Sequence, residues 1–206
     1  MNPLESYYKK VIKYDLINKF FYNNLNDIPE LKKIILNFGC KSFEIKSIAA
    51  AILSLELITT QRGSVTKSKR ANILLKIRKG YPVGCMVILT SGKMYQFLFK
   101  LLTEVFPNLK DFKGINVSKK LGQKSFSFTL ADLINFKELE KQFYLFTNLP
   151  QLNIVFVTNT KTRKELIYLL KSFKTLYGIL VRAKPELPLK AKLSINTPVS
   201  LSKFKP

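Results

Sequence analysis

Several residue types are missing or scarce in this chain. It contains no histidine and no tryptophan, and only two of its 206 residues are cysteines. The absence of histidine excludes histidine-based catalytic triads and imidazole metal sites, and it removes the commonest general base. Two cysteines, Cys40 and Cys85, provide no disulfide framework, so a reducing compartment is the default expectation. No apolar run approaches the roughly 18 residues that a membrane span requires, so we expect no transmembrane helix.

Acidic residues are also scarce. The chain carries 35 Lys/Arg against 13 Asp/Glu, which gives a formal net charge of +22. Its apolar content of 47% is enough for a folded core, so the charge belongs to a folded protein. Self-repulsion on this scale destabilises the compact state unless a partner neutralises it. Nucleic acid is the leading candidate, because Lys and Arg displace its condensed counterions, and an anionic membrane surface is the alternative.

The scarcity of acids is greatest in one window. The 47 residues from Leu57 to Thr103 contain nine Lys/Arg and no carboxylate. An ordinary solvated surface intersperses both signs of charge, so this window predicts an element that binds a polyanion. Hydroxyl groups between the bases, including that of Thr66, can donate to phosphates where a long side chain does not fit. Seven of the nine cations lie close together, namely Arg62, Lys67, Lys69, Arg70, Lys76, Arg78 and Lys79.

Hydrophobic periodicity predicts an α+β chain. Apolar residues at helical spacing predict helices at the N-terminus, over 44–60, from Met94 to Pro107 and from Thr162. Asn2 is expected to cap the first helix, and Thr162 with Glu165 to form a capping box on the last. Alternating or continuous apolar runs predict strands over 31–39, 72–78, 82–90, 125–130 and 152–158.

The chain divides into a domain and an appendage. Residues 1–177 are predicted to form a single α+β domain, in which 107–124 is a long loop. Residues 178–206 hold six Lys/Arg and one acid, and they include four prolines. This composition predicts an extended basic C-terminal tail that orders on a partner.

Strands with one apolar face predict an antiparallel sheet that is covered by helices on one side. The other side of such a sheet is left uncovered. Alternation in the first strand places Lys33 and Asn37 together on this open face. The same argument for the fourth strand adds the hydroxyl residues Ser125, Ser127 and Thr129. A polar, basic sheet face of this kind is typical of an RNA-binding platform.

No motif indicates catalysis. Gly122–Ser125 and Ser91–Met94 each match part of a phosphate-binding loop, but neither has the full Gly-x-x-x-x-Gly-Lys-Ser/Thr spacing. The close carboxylate pair Glu138 and Glu140 lies in a lysine-rich segment, where a solvated face explains it better than acid–base chemistry. Cys85 alternates with valines and is expected to be a core thiol. We therefore expect a protein that is not an enzyme and has no cofactor and no metal site.

Several ordered segments resemble the universal large-subunit ribosomal protein five family, whose bacterial members bind 5S rRNA. The run KIRKGYPVGC is the most specific of them, and the likeness extends in order over about residues 2 to 175. The order of predicted helices and strands also matches that family's fold. The segments are Leu4–Tyr8 (LESYY), Lys33–Gly39 (KIILNFG), Ile77–Cys85 (IRKGYPVGC), Thr90–Phe97 (TSGKMYQF), Asp111–Gly114 (DFKG) and TNTKTRKELIYLL.

The resemblance implies a structural component of the large ribosomal subunit, located in the central protuberance. Asn37, Gln61 and Thr90 are similar to residues that contact 5S rRNA in the family. The loop from Lys67 to Gly80 resembles the element that approaches the P-site tRNA. The region 107–124 corresponds to the part that meets a small-subunit head protein.

Residue patterns and resemblance together give an expected rRNA-binding set of Lys33, Asn37, Gln61, Arg62, Thr66 and Thr90. The RNA would be 5S rRNA where present and otherwise large-subunit rRNA. The expected tRNA-proximal residues are Lys67, Lys69, Arg70, Lys76, Arg78 and Lys79. The excess of lysine over arginine is typical of an AT-rich gene, which favours a mitochondrial ribosome, with another organelle or a bacterial cytoplasm as the alternative. A free RNA-binding module or RNA chaperone outside the ribosome is the alternative function.

Overall fold

A computed structural model describes residues 2–40, 45–109, 122–146 and 148–175. The expected tail 178–206, its boundary at residue 177 and most of the expected loop 107–124 lie outside these ranges. The division into a domain and a tail therefore stays a prediction.

Five α-helices are described, together with two short 3-10 helices at Leu25–Asp27 and Phe143–Leu145. α1 comprises Pro3–Tyr7, a π-helical turn at Tyr8–Ile12 and Lys13–Lys19. α2 is Ile45–Thr59. α3 comprises Ser91–Lys100, a π-helical turn at Leu101–Val105 and Phe106–Asn108. α4 is the short Lys137–Glu140, and α5 is Arg163–Thr175. None of these described helices is long and apolar enough to span a membrane.

The five described strands form a single antiparallel sheet. They are β1 Leu31–Gly39, β2 Ser64–Lys67, β3 Pro82–Thr90, β4 Ser125–Leu130 and β5 Leu152–Thr158. Their spatial order is β2-β3-β1-β5-β4, so β1 lies in the centre. Each neighbouring pair is antiparallel. This architecture confirms the predicted α+β class.

Helices pack on one face of the sheet. In β1, the side chains of Ile34, Leu36 and Phe38 are fully buried, whereas their neighbours are only partly covered or exposed. These three residues join one apolar core with buried residues of the four longest helices. Full burial of such a side chain stabilises the fold by about 1.5–3 kcal/mol. The alternation in β1 therefore fixes which face is covered and leaves the opposite face open.

Two predicted helix starts have different outcomes. The capping box on α5 is confirmed, because the Glu165 N–H donates to Thr162 Oγ1 at 3.4 Å and the Thr162 N–H donates to Glu165 Oε2 at 3.3 Å. The predicted side-chain cap of Asn2 is wrong. Asn2 Nδ2 instead donates to the Gly92 carbonyl at 2.8 Å and so attaches α1 to the start of α3.

The predicted strand over 72–78 is also wrong. Those residues form turns that contain an isolated bridge between Asn72 and Ile77. The strand that pairs with β3 is Ser64–Lys67, which lies earlier in the acid-free window. The ladder then continues through Ser68, whose N–H donates to the Tyr81 carbonyl at 2.8 Å. Pairing with β3 thus involves residues 64–68, and the residues between Ser68 and Gly80 form a loop.

Candidate nucleic-acid interface

The open face of the sheet carries the expected polar residues in defined rows. Lys33 on β1 is directly opposite Thr90 on β3, and Asn37 is opposite Met86. Residues directly opposite in an antiparallel pair lie on the same face, so these four side chains share the open face. Lys33 and Asn37 are four residues apart along β1, which separates them by roughly 14 Å. The face therefore offers two polar positions at a spacing wider than one nucleotide base.

A second row of amides and hydroxyls crosses the face at Asn37. Asn153 on β5 is opposite Asn37, and Thr129 on β4 is opposite Asn153. Thr129 Oγ1 donates to Asn153 Oδ1 at 3.0 Å. On the other side, Ser64 of β2 is opposite Met86 and its hydroxyl donates to the Met86 carbonyl at 2.9 Å. Asn153 was not among the expected site residues, although its alternation with Val155 and Val157 in the sequence could have indicated it.

The centre of the open face is apolar, whereas a polar, basic face was predicted. Ile35 on β1 is opposite Ile88 on β3 and Val155 on β5. Ile88 is 39% exposed, and Ile35 and Val155 are partly exposed. Such a row cannot donate to phosphates, but it can pack against ribose and base surfaces. The open face therefore combines an apolar centre with polar rows on both sides.

Gln61 extends the edge of the sheet at the end where Lys33 and Thr90 lie. Its Nε2 donates to the Ile88 carbonyl at 3.1 Å, just beyond the last residue paired with β2. The amide side chain thus takes the place of the next backbone donor in the ladder. Arg62 follows immediately and is exposed. These two residues lie beside the open face rather than on it.

Thr66 joins the open face on the edge strand. It is paired with Gly84, and its Oγ1 lies 3.0 Å from the position that a Cβ on Gly84 would occupy. Its partly exposed hydroxyl is thus directed over β3. Among the expected rRNA-binding residues, Lys33, Asn37, Thr66 and Thr90 share one face, with Gln61 and Arg62 at its edge.

Unusual backbone conformations flank two of these residues. Thr60, which precedes Gln61, has a φ of 53°, and Ser91, which follows Thr90, has a φ of 51°. Such left-handed conformations cost about 1–2 kcal/mol for residues with a Cβ. At Thr60 the turn ends α2 and leads the chain toward the edge of β3, and at Ser91 it ends β3 and starts α3. Both turns fix the direction from which the neighbouring polar side chain reaches the interface.

Glu56 is hydrogen-bonded to the backbone near the start of the acid-free window. Its Oε1 accepts a hydrogen bond from the Gly63 N–H at 3.0 Å. This carboxylate is the last before the window, and no role was predicted for it. Its position near the carboxyl end of α2, just before a Gly-containing turn, could have indicated that it binds the backbone of that turn.

The loop from Lys67 to Gly80, which is expected to approach tRNA, is basic and has a hydrogen-bonded tip. The ladder closes at its base, where the Gly80 N–H donates to the Ser68 carbonyl at 2.9 Å. At the tip, Asn72 Oδ1 accepts hydrogen bonds from the N–H groups of Leu74 and Leu75, at 3.0 and 3.4 Å. The expected cations of this loop are all exposed, namely Lys67, Lys69, Arg70, Lys76, Arg78 and Lys79.

Apolar side chains occupy the end of this loop. Ile73 is 92% exposed and Leu74 is 93% exposed, whereas Ile77 is buried at 6%. Exposed apolar side chains beside cations suit a partner surface that is partly apolar and partly anionic. The strand predicted over 72–78 gave no indication of this apolar tip.

The seven clustered cations between Arg62 and Lys79 form no ion pairs within the described ranges. The five ion pairs found there involve other residues and are Lys9–Glu5, Lys32–Glu30, Lys100–Glu138, Lys137–Glu104 and Lys161–Asp27. The acid-free window thus contains no acidic partner for these cations, and the fold brings none into ion-pair distance among the described residues. These charges remain available to an external polyanion.

The described residues show no cluster of metal-ligating side chains. No group of three or more Cys, Asp or Glu residues within them is close enough to hold a metal ion. Both cysteines are buried. Burial, followed by the effect of Cys40, raises the pKa of the Cys85 thiol to about 12, which disfavours the reactive thiolate.

Comparison with known proteins gives consistent matches. The model for the C-terminus of the ribosomal protein L5 family matches residues 82–177. The chain is 41% identical over 176 residues to the large ribosomal subunit protein uL5m of Reclinomonas americana, covering 84% of this chain and 97% of that protein. It is 36% identical over 176 residues to uL5 of Nitrosomonas europaea, with the same coverage. Identity to uL5 of Thermosipho melanesiensis is 34% over 175 residues, covering 83% of this chain and 94% of the relative.

Proposed function

Because the chain belongs to the uL5 family of large-subunit ribosomal proteins, we propose that its open sheet face binds 5S rRNA, or large-subunit rRNA where 5S rRNA is absent, in the central protuberance. The family is one of structural, non-enzymatic proteins, so the role of the protein is to position RNA. Side chains that reach bases would give specificity, and Lys/Arg contacts to phosphates would give most of the affinity.

The observation that carries this proposal is the shared placement of Lys33, Asn37 and Thr90 on the open face beside an acid-free edge. The amide of Asn37 can donate to and accept from the edge of an unpaired base. Lys33 provides a phosphate contact at the same end as Thr90. The apolar row at Ile35 and Ile88 between them can pack against ribose or an unstacked base.

The loop from Lys67 to Gly80 would approach the P-site tRNA. Its charges suit an RNA surface, and its exposed apolar tip suits the flat outer face of a stacked base. The ladder with β3 fixes the base of the loop beside the open face. In this arrangement, rRNA contacts at the sheet would determine where the loop reaches.

One further partner and a location complete the proposal. A small-subunit head protein would contact the region 107–124, most of which lies outside the described residues. The high lysine content and the similarity to a protein named uL5m support the mitochondrial matrix as the location. Bacterial uL5 proteins are also similar, so another organelle or a bacterial cytoplasm is the alternative.

Binding to rRNA is tested by comparing two variants. Asn37→Ala removes a base contact and should reduce the preference for the cognate rRNA over an unrelated RNA of equal length. Arg62→Ala, at the edge of the open face, removes one phosphate contact, so it should weaken binding to both RNAs equally and reduce the salt dependence of log K by about 1. Unchanged discrimination in Asn37→Ala would show that the open face is not the specific site.

The alternative function, a free RNA-binding module or chaperone, differs in its attachment to the ribosome. A structural component co-sediments with large subunits after a high-salt wash, because many buried contacts hold it there. A free module dissociates under the same conditions. Release of the full chain below the salt concentration that strips known core proteins would therefore favour the alternative.

A further inference from the structure

A groove lies between α1 and α5, on the helical side of the molecule and away from the open face of the sheet. It has a volume of about 600 Å³ and is lined by residues of these two helices and by Phe20, which follows α1 directly. Lysines and aromatic rings line it together. The lining includes Lys19, Phe20, Lys164, Tyr168 and Lys171.

The groove is positively charged. Within the described residues, none of the three lysines forms an ion pair, although five lysines elsewhere do. Asp15 is the one carboxylate among the lining residues, so the cations outnumber it three to one. Lys164 and Lys171 are seven residues apart on one side of α5, which places them roughly 10 Å apart along the helix axis. The cations are thus distributed along the groove rather than clustered at one point.

The aromatic rings are held in place before any ligand binds. Phe20 and Tyr168 meet edge to face, with ring centroids 5.8 Å apart. Lys19 Nζ lies 4.0 Å from the centroid of the Tyr168 ring. Both rings are partly exposed. Lys19 thus covers one face of the Tyr168 ring. Aromatic rings beside lysines that form no ion pair are the combination by which proteins bind single-stranded nucleic acid, with bases stacked on the free ring faces and phosphates beside the cations.

We propose that this groove is a second RNA-binding surface, which takes a single-stranded RNA segment. The basic tail 178–206 is an unsuitable occupant, because its six Lys/Arg and single acid would be repelled by the groove. An acidic protein segment would satisfy the lysines but would leave the rings without stacking partners. The protein would then hold two RNA segments, one on the open face and the other on the opposite, helical side.

The test uses a tryptophan as a local reporter. The chain has no tryptophan of its own, so Tyr168→Trp introduces a single one at the groove and preserves an aromatic ring. Titration of this full-length variant with a twelve-residue oligouridine should quench the fluorescence saturably, because a stacked base quenches indole emission. Absence of quenching at saturating RNA would overturn the proposal.

Charge variants then locate the binding. In the reporter background, Lys164→Ala with Lys171→Ala should reduce the salt slope of log K by about 1.4, since each single-strand phosphate contact contributes about 0.7. The matched control is Lys46→Ala with Lys141→Ala, which removes two exposed lysines without described ion pairs. Equal effects of the two pairs would show that the quenching reflects net charge alone, and the proposal would fail.

Two further measurements separate this groove from other sites and partners. Lys33→Ala with Asn37→Ala should leave the tryptophan quenching unchanged, because the open face is a different surface. Loss of quenching in that variant would mean one site rather than two. An oligoglutamate of equal charge should neither quench nor compete. Quenching or competition equal to that of RNA would identify an acidic protein partner and overturn the RNA assignment.

Discussion

Glu56 Oε1 accepts the Gly63 N–H at 3.0 Å, so the last carboxylate before the acid-free window binds the backbone at the root of that window. The contact spans seven residues and closes the turn that carries Gln61 and Arg62. A carboxylate at this point neutralises none of the window's cations through a described ion pair. Its role is to hold the turn in place while the clustered charges beyond it stay available.

This contact predicts a difference between two substitutions of Glu56. Glu56→Ala leaves the Gly63 N–H without its acceptor and should lower the free energy of unfolding by about 1–2 kcal/mol. Glu56→Gln keeps an acceptor oxygen and should lower it by less than about 1 kcal/mol. Urea unfolding of both variants measures the difference. Equal losses would indicate that the charge matters and the hydrogen bond does not.

The close approach of β1 and β3 predicts a second difference, between two paired glycines. Gly39 and Gly84 are directly opposite each other. A Cβ on Gly84 would lie 2.2 Å from the Phe38 carbonyl oxygen, whereas a Cβ on Gly39 would meet nothing within 4 Å. Gly84→Ala should therefore destabilise the protein by about 1–3 kcal/mol, because the backbone must shift.

The matched control is Gly39→Ala, which should be neutral or slightly stabilising because it restricts the unfolded chain. Thermal unfolding of both variants gives the comparison. Because Gly84 also underlies the Thr66 hydroxyl, Gly84→Ala should weaken RNA binding at the open face. A stable Gly84→Ala variant would contradict the observed separation of the strands.

Long elements with a regular apolar pattern could be predicted from the sequence. β1, with Ile34, Leu36 and Phe38 on one face, and α5, with its capping box, each carry their signal locally. β2 does not, because its four residues include a single apolar one, Val65, and its pairing is decided by β3 more than ten residues away. The apolar residues of 72–78 favour a strand in the sequence, but in the structure Ile73 and Leu74 form an exposed tip.

The candidate site was predictable to the extent that alternation assigns side chains to a face. Lys33 and Asn37 were placed correctly on this basis. The row formed by Ile35, Ile88 and Val155 depends on the register of three strands, which single-strand periodicity does not contain. The hydrogen bond of Gln61 to the edge of β3 likewise depends on where β2 begins.

Buried acidic groups predict that stability falls at alkaline pH. Burial is the main cause that raises the pKa of Cys85 from 9.0 to about 12, and the electrostatic effect of Cys40 is the smaller cause. Burial is likewise the main cause that raises the pKa of Tyr95 from 10.0 to about 12, with smaller electrostatic effects of Glu30 and Glu5. The folded state thus favours the protonated forms. Their contribution is complete below pH 9 and is lost as the pH rises from about 9 to about 12.

The measurement is the free energy of unfolding between pH 8 and pH 11. Each such group lowers it by up to about 1.4 kcal/mol per pH unit within its window. Cys85→Ala removes one of these groups, so its stability should decline less steeply than that of the unmodified protein from pH 9. Parallel declines would show that the thiol does not contribute. The difference between the two curves at pH 8, where both groups are protonated in the folded and the unfolded states, corrects for the lost packing.

The apolar tip of the basic loop predicts a separation between stability, rRNA binding and tRNA binding. Ile73 and Leu74 are more than nine-tenths exposed, so Ile73→Ser with Leu74→Ser should change the free energy of unfolding by less than about 0.5 kcal/mol for each residue. Binding to rRNA through the open face should also be unchanged. If the tip packs against tRNA, large subunits that carry the variant should hold P-site tRNA several-fold less tightly, because two buried apolar contacts are lost. The salt dependence of tRNA binding should stay the same, since no cation is removed.

Arg78→Ala provides the contrast, because it should reduce both the affinity and the salt slope while the tip remains apolar. Unaltered tRNA affinity in the serine variant would show that the exposed tip does not contact tRNA.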